Sequence, residues 1–299
     1  MALNEQSALA AGASPVAPPP DAVAPIARKR EVMYRHAVAV RLTHWINALI
    51  LVLLLMSGLR LFNYYPALHW GNYGYRGVPS VLSITALEDI ETDEPVGVTT
   101  IAGHNFITTG VLGVAYDEQG EPVSGAFPNW MTLPGGPGLA LARDWHFALA
   151  WVFAINGFVY LLYGLFAGHF RRDLLPTGGE LRPRHILADI RNHIRLRRPR
   201  GEAARRYNVL QKLAYVAVIF VLLPVMVLTG LTMSPAFTAA MPFLFDVFGG
   251  RQSARTIHFL AANLLVLFVL VHVIQVILTG VFNNMRSMIT GRYAIRRED

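Results

Sequence analysis

The sequence predicts an all-α membrane protein, a four-helix transmembrane bundle with a small periplasmic insertion between helices 1 and 2. Composition, the length of the apolar runs and the alternation of charge between them predict it. Of 299 residues, 54% are hydrophobic and 15% are charged, against about 45–50% and about 25% in a soluble domain. The apolar residues gather in four runs, each near the ~20 residues that a helix needs to cross the hydrocarbon layer. Residues 171–207 hold eleven Arg against four acidic residues, a net of +7, whereas residues 63–142 hold one Arg against eight acids, a net of −7. That asymmetry places 171–207 in the cytoplasm and 63–142 on the periplasmic side. It also accounts for the overall charge of +7 through the bilayer rather than through nucleic acid.

Residues 1–30 are rich in Ala and Pro, include Pro18-Pro19-Pro20 and lack the apolar core of a secretory signal. They predict a disordered cytoplasmic tail reaching residue 35, ahead of a membrane domain over 36–293. Its helices are expected at about 41–62, 144–170, 208–232 and 254–282. Four crossings return both termini to the cytoplasm, and Arg28-Lys29-Arg30 and Arg296-Arg297 suit that side. Pro224 predicts a kink in the third helix, because it lacks a backbone donor and crowds the preceding turn.

The insertion 63–143 is too long for a bare connector. Val98 to Tyr116 is rich in Thr, Val, Ile and Gly and runs into Asp117-Glu118-Gln119-Gly120, which predicts a small hairpin-bearing cap. Its stretch Glu88-Asp89-Ile90-Glu91-Thr92-Asp93-Glu94 is either a docking site for a basic partner or a solvated loop.

Zero cysteines exclude disulfides, thiolate-held clusters and thiolate-ligated or covalently attached haem. Any metal must rest on histidine, carboxylate or methionine. Ten His are present, and four fall within hydrocarbon depth, where a polar ring is costly and usually functional. His44 lies just inside the first helix, His146 just inside the second, and His258 and His272 share the fourth. Under the topology above, His146 and His258 lie near the periplasmic face. His272, fourteen residues on and about 21 Å deeper at 1.5 Å per residue, lies level with His44. Fourteen steps of 100° fall about 40° short of four turns, so His258 and His272 leave their helix on nearly one side.

Two stacked bis-histidine levels in a bundle core are the arrangement expected of two b haems, His146/His258 toward the periplasm and His44/His272 toward the cytoplasm. Zinc suits the pattern less, since no intramembrane carboxylate or Cys completes a tetrahedron. Arg41, Arg143 and Arg255 each precede one of these His by three residues. One helical turn puts each guanidinium on the aqueous side of an imidazole, placed either to pair with a haem propionate or to anchor the helix at the interface. Gly58, fourteen residues after His44, and Gly164, eighteen after His146, either let a porphyrin approach the backbone or promote helix packing. His36 is expected either to assist a quinone or proton route or, as the favoured reading, to be an ordinary interfacial histidine. His69, His104, His169, His185 and His193 are expected to be non-ligands.

At these residues the sequence resembles the superfamily of bacterial cytochrome b561 and nickel-hydrogenase b-type cytochromes, which includes the formate dehydrogenase gamma subunits. The match is carried by Arg41-Leu42-Thr43-His44-Trp45-Ile46-Asn47, Asp144-Trp145-His146-Phe147 and the His258 to His272 interval. Tyr65-Pro66-Ala67-Leu68-His69-Trp70-Gly71, Thr108-Thr109-Gly110-Val111-Leu112-Gly113 and Ala126-Phe127-Pro128-Asn129-Trp130 look more narrowly like the thiosulfate-reductase-type cytochrome b membrane anchors. The resemblance covers about 33–293. It implies an integral membrane dihaem cytochrome b subunit that transfers electrons between the quinone pool and a periplasmic redox partner of the molybdopterin oxidoreductase type. The chain would then be the conduit rather than the substrate-converting subunit. Two alternatives stand beside this reading: a stand-alone b561-type superoxide:quinone oxidoreductase, and a His-lined metal or proton transporter. The acidic cap favours a protein partner over the first, and the scarcity of acids inside the helices weighs against the second.

Overall fold

A computed structural model describes residues 30–75, 77–88, 94–116, 119–135, 138–195 and 207–296. Four helices in it are long and apolar enough to cross a membrane: Val38–Tyr64, Leu139–Phe166, Val209–Met233 and Arg251–Thr290. The first is α1 and the second α2. Most of their large apolar side chains stay exposed, as lipid-facing surfaces must, and the chain is an integral membrane protein. Ile50 of α1 and Leu149 and Phe153 of α2 are buried against one another, with Leu223 and Val227 packed on them.

Strand β1, Arg30–Tyr34, precedes α1. It pairs antiparallel with β8, Arg292–Arg296, so the two ends of the described chain meet on one side of the bundle. Residues 30–34, expected in the disordered tail, instead form a strand whose backbone groups pair with the far end of the described chain. Residues 1–29, with Arg28 and Lys29, lie outside the described residues, as does Arg297.

On the opposite side, between α1 and α2, the chain builds a sheet cap. Strands β2 (Ala67–Leu68), β3 (Leu82–Glu88), β4 (Pro95–Ile101) and β5 (His104–Ile107) form an antiparallel sheet in that order. Strands β6 (Gly113–Tyr116) and β7 (Pro122–Gly125) add a hairpin. The hairpins match the expected cap, and the all-α expectation is corrected by this sheet. Leu68, Ile84 and Ala126 of the cap are buried around Phe62 of α1. Gly97 and Gly113 let β4 and β6 touch: a Cβ at Gly113 would stand 2.6 Å from the Gly97 Cα. The acidic stretch read either as a docking site or as a solvated loop lies, over residues 89–93, outside the described residues.

The cap is bolted to the bundle. Asn63 of α1 donates to the Phe127 carbonyl and accepts from the Phe127 amide, both at 2.8 Å. The last membrane helix, α8 (Arg251–Thr290), docks its first turn on the loop after β2: the amides of Gln252 and Ser253 donate to the Gly71 carbonyl at 3.0 and 3.1 Å, satisfying groups that every helix start leaves open.

After α2, Gly168 turns left-handed (φ 65°) and a π turn, Phe170–Leu174, follows. The second helix thus ends at Phe166 rather than about 170, since a left-handed glycine ends a helix. A short amphipathic helix α3, Pro183–Ile194, leads toward the third span. That span comprises α4 (Val209–Ala217), a π turn (Val218–Leu222) and α5 (Leu223–Met233). The irregularity expected at Pro224 takes the form of this π turn immediately before it. Lys212, buried at the start of the span, pairs with Glu180 at 2.9 Å. Two short helices, α6 (Pro235–Ala240) and α7 (Phe243–Phe248), return the chain to α8. α8 breaks at Gly280 (φ 112°, ψ 86°) and runs on to Thr290, beyond the expected end near 282.

Candidate functional site

Three of the four spans bring imidazoles to the middle of the bundle. Near the sheet cap, His258 of α8 faces His146 of α2 with ring centroids 6.3 Å apart. Fourteen residues along α8, His272 faces His44 of α1, again at 6.3 Å. The partners are those expected from depth, and the two levels are separated by about 21 Å of helix. Two imidazoles bound to one metal through bonds of roughly 2.0 Å have centroids about 6 Å apart, so each pair has a separation that one metal ion between the rings would fit. Among the described residues, no group of three or more His, Cys, Asp or Glu is placed to hold a metal ion. Among the described residues the bundle thus offers paired imidazoles rather than larger ligand clusters.

The level near the cap is finely held. Nδ1 of His146 lies 2.9 Å from the hydroxyl of Ser57 on α1, and Nδ1 of His258 lies 2.9 Å from the hydroxyl of Thr229 on α5. Each hydroxyl gives its own proton to a carbonyl one turn back: Ser57 to Leu54 at 3.1 Å, Thr229 to Val225 at 2.6 Å. Ser57 and Thr229 are fully buried. Next to each is a glycine against the same ring: a Cβ at Gly58 would stand 3.5 Å from His146 Cε1, and one at Gly230 3.7 Å from His258 Cε1. Third-span residues thus shape a level to which that span gives no histidine.

The other level is built differently. Nδ1 of His44 is buried with no hydrogen-bond partner. His272 stacks on Phe268 at 5.9 Å and 18° and meets the edge of Tyr215 at 6.5 Å. Behind His44, the buried Asn156 of α2 donates to the Thr43 carbonyl at 2.9 Å and to Asn47 Oδ1 at 2.7 Å, clamping α1 to α2.

The three arginines separate. Arg255 donates to the carbonyls of Ala67 and Tyr65 and lies over the Tyr65 and Phe62 rings. Arg41 donates to the Ile289 carbonyl, beside the bond from Trp45 Nε1 to the Met288 carbonyl, and its Nε is buried without a partner. Arg143 is exposed. Gly58 sits at the level of His146, as its spacing predicts. Gly164 does not open onto a ligand, because the Phe170 ring fills its place: an added Cβ would stand 2.1 Å from Phe170.

Of the remaining histidines, His69 is buried under the start of α8, where its carbonyl accepts from Thr256 at 2.7 Å. His104 is exposed on β5, and His169 pairs with Asp173 at 2.7 Å. His36, just before α1, is pushed down to about 4, first by burial and then by the Arg35 charge. Sequence reasoning missed Ser57, Thr229, Gly230 and Asn156. The signal for the first three was present as a repeated hydroxyl-glycine step, Ser57-Gly58 and Thr229-Gly230.

The sequence profile of the family described as prokaryotic cytochrome b561 matches residues 35–291. A YedZ1 protein of Azospira oryzae, provisionally named a protein-methionine-sulfoxide reductase subunit, is 36% identical over 151 residues, 50% of this chain and 71% of that protein. No solved structure is significantly similar to the chain.

Proposed function

The chain belongs to the prokaryotic cytochrome b561 family, haem b membrane proteins of electron transport, and from that premise we propose that it carries two b haems and links the quinone pool to a periplasmic redox protein. His146 and His258 are the ligands near the cap, and His44 and His272 those of the opposite level. The observation that carries this reading is the pair of equal 6.3 Å ring separations at two levels of one helix. Bound there, haem b supplies one-electron exchange.

The chain's own residues do the rest. Neutral imidazoles from facing helices bind, and the apolar walls exclude water and so strengthen local electrostatics. Because His258 and His272 share α8, the helix fixes the spacing of the two centres. Arg41, Arg143 and Arg255 would hold the propionates, Arg41 and Arg255 while also bracing backbone carbonyls and the exposed Arg143 one turn before His146. The termini lie in the cytoplasm of the bacterial inner membrane and the cap in the periplasm, following the charge asymmetry. The Azospira relative is named a reductase subunit, which supports a separate substrate-converting partner. We assign that partner to the molybdopterin oxidoreductase type, with this chain as its membrane electron conduit.

The test is a haemochrome assay on the purified full chain. It should return about two haems b per chain, both reducible by a quinol. No haem, or one, contradicts the reading.

A further inference from the structure

The two histidine levels are unequally supported, and the inequality rests on hydroxyls rather than on the ligands. At the level near the cap, both Nδ1 atoms meet a buried hydroxyl at 2.9 Å. Both hydroxyls have already given their proton to a backbone carbonyl. Each therefore accepts, and the imidazole must donate. The proton of each ring is thereby fixed on Nδ1, leaving the Nε2 lone pair for a metal. At the other level, His44 Nδ1 is buried with no acceptor at all. The two supports near the cap come from different helices, α1 and α5, yet repeat one local design of hydroxyl followed by glycine.

We propose that Ser57 and Thr229 are positioning residues that lock His146 and His258 in the Nδ1–H tautomer and lower the redox potential of that centre selectively. This rests on the haem reading above. A donated N–H pushes electron density toward Nε2 and makes the ring a stronger donor, which favours the oxidised iron. Removing the acceptor withdraws that density from one centre, with the other about 21 Å away along α8.

The experiment is a spectroscopically monitored redox titration of the purified, haem-loaded full chain carrying Ser57→Ala, Thr229→Val or Thr229→Ser. Thr229→Val keeps shape and loses the hydroxyl, while Thr229→Ser keeps the hydroxyl and loses a methyl. The expected result is a raised midpoint potential for one of the two centres in Ser57→Ala and in Thr229→Val, the other centre unmoved, and a wild-type titration for Thr229→Ser. Selective loss of one haem in Thr229→Val, absent in Thr229→Ser, supports the same role. Unchanged potentials, equal movement of both centres, or Thr229→Ser behaving like Thr229→Val overturns it. A wild-type chain that binds no haem overturns the functional reading instead, so the two failures are distinct.

Discussion

Asn156 of α2 donates a 2.9 Å hydrogen bond to the backbone carbonyl of Thr43, one residue before His44 on α1. A helix carbonyl has a second lone pair, and Asn156 uses it while its other donation goes to Asn47. In hydrocarbon such bonds are worth about 1 kcal/mol. Asn156→Leu should therefore lower the thermal stability of the purified protein by roughly that amount and loosen α1 beside His44. An unchanged melting temperature would remove the clamp from the account.

The two glycines picked out by spacing should behave oppositely. At Gly58 an added methyl meets His146 at 3.5 Å, ordinary contact, whereas at Gly164 it meets the Phe170 ring at 2.1 Å. Gly58→Ala should leave stability and visible spectrum near wild type. Gly164→Ala should cost roughly 1–3 kcal/mol, as overpacking does. The reverse order in a thermal unfolding series would contradict the packing described.

His36 makes a pH prediction. Its folded-state value is lowered to about 4, through burial first and the Arg35 charge second, while an unfolded histidine titrates near 6.5. Between these values the unfolded chain binds the extra proton, so stability is lost as pH falls from about 6.5 to about 4. Replacing His36 with Asn should flatten that part of the stability profile in detergent. A profile as steep as wild type would place the acid sensitivity elsewhere.

The spans and the pairing of the four histidine rings were legible because hydropathy and helical rise are properties of single segments: His258 and His272 carry their own ruler. What was hidden depends on contacts between segments. Nothing local marks Ser57 as the neighbour of His146 across two helices, or Arg30–Tyr34 as the partner of Arg292–Arg296. Gly164 shows the limit from the other side. Its place on the ligand-bearing helix is periodic, but the chain doubles back after Gly168 and fills it with Phe170. The sheet was visible only as turn chemistry and β-branched residues, since its register depends on which hairpin each strand meets.

The central claim is that four histidines make two independent pairs, and haem b content per chain in four single variants tests it most directly. His146→Ala and His258→Ala should each retain about half the wild-type haem and show one common residual spectrum. His44→Ala and His272→Ala should also retain about half, with the complementary spectrum, because the distant pair keeps both of its ligands. Folded variants that all lose both haems, or that pair differently, would contradict the two-level account.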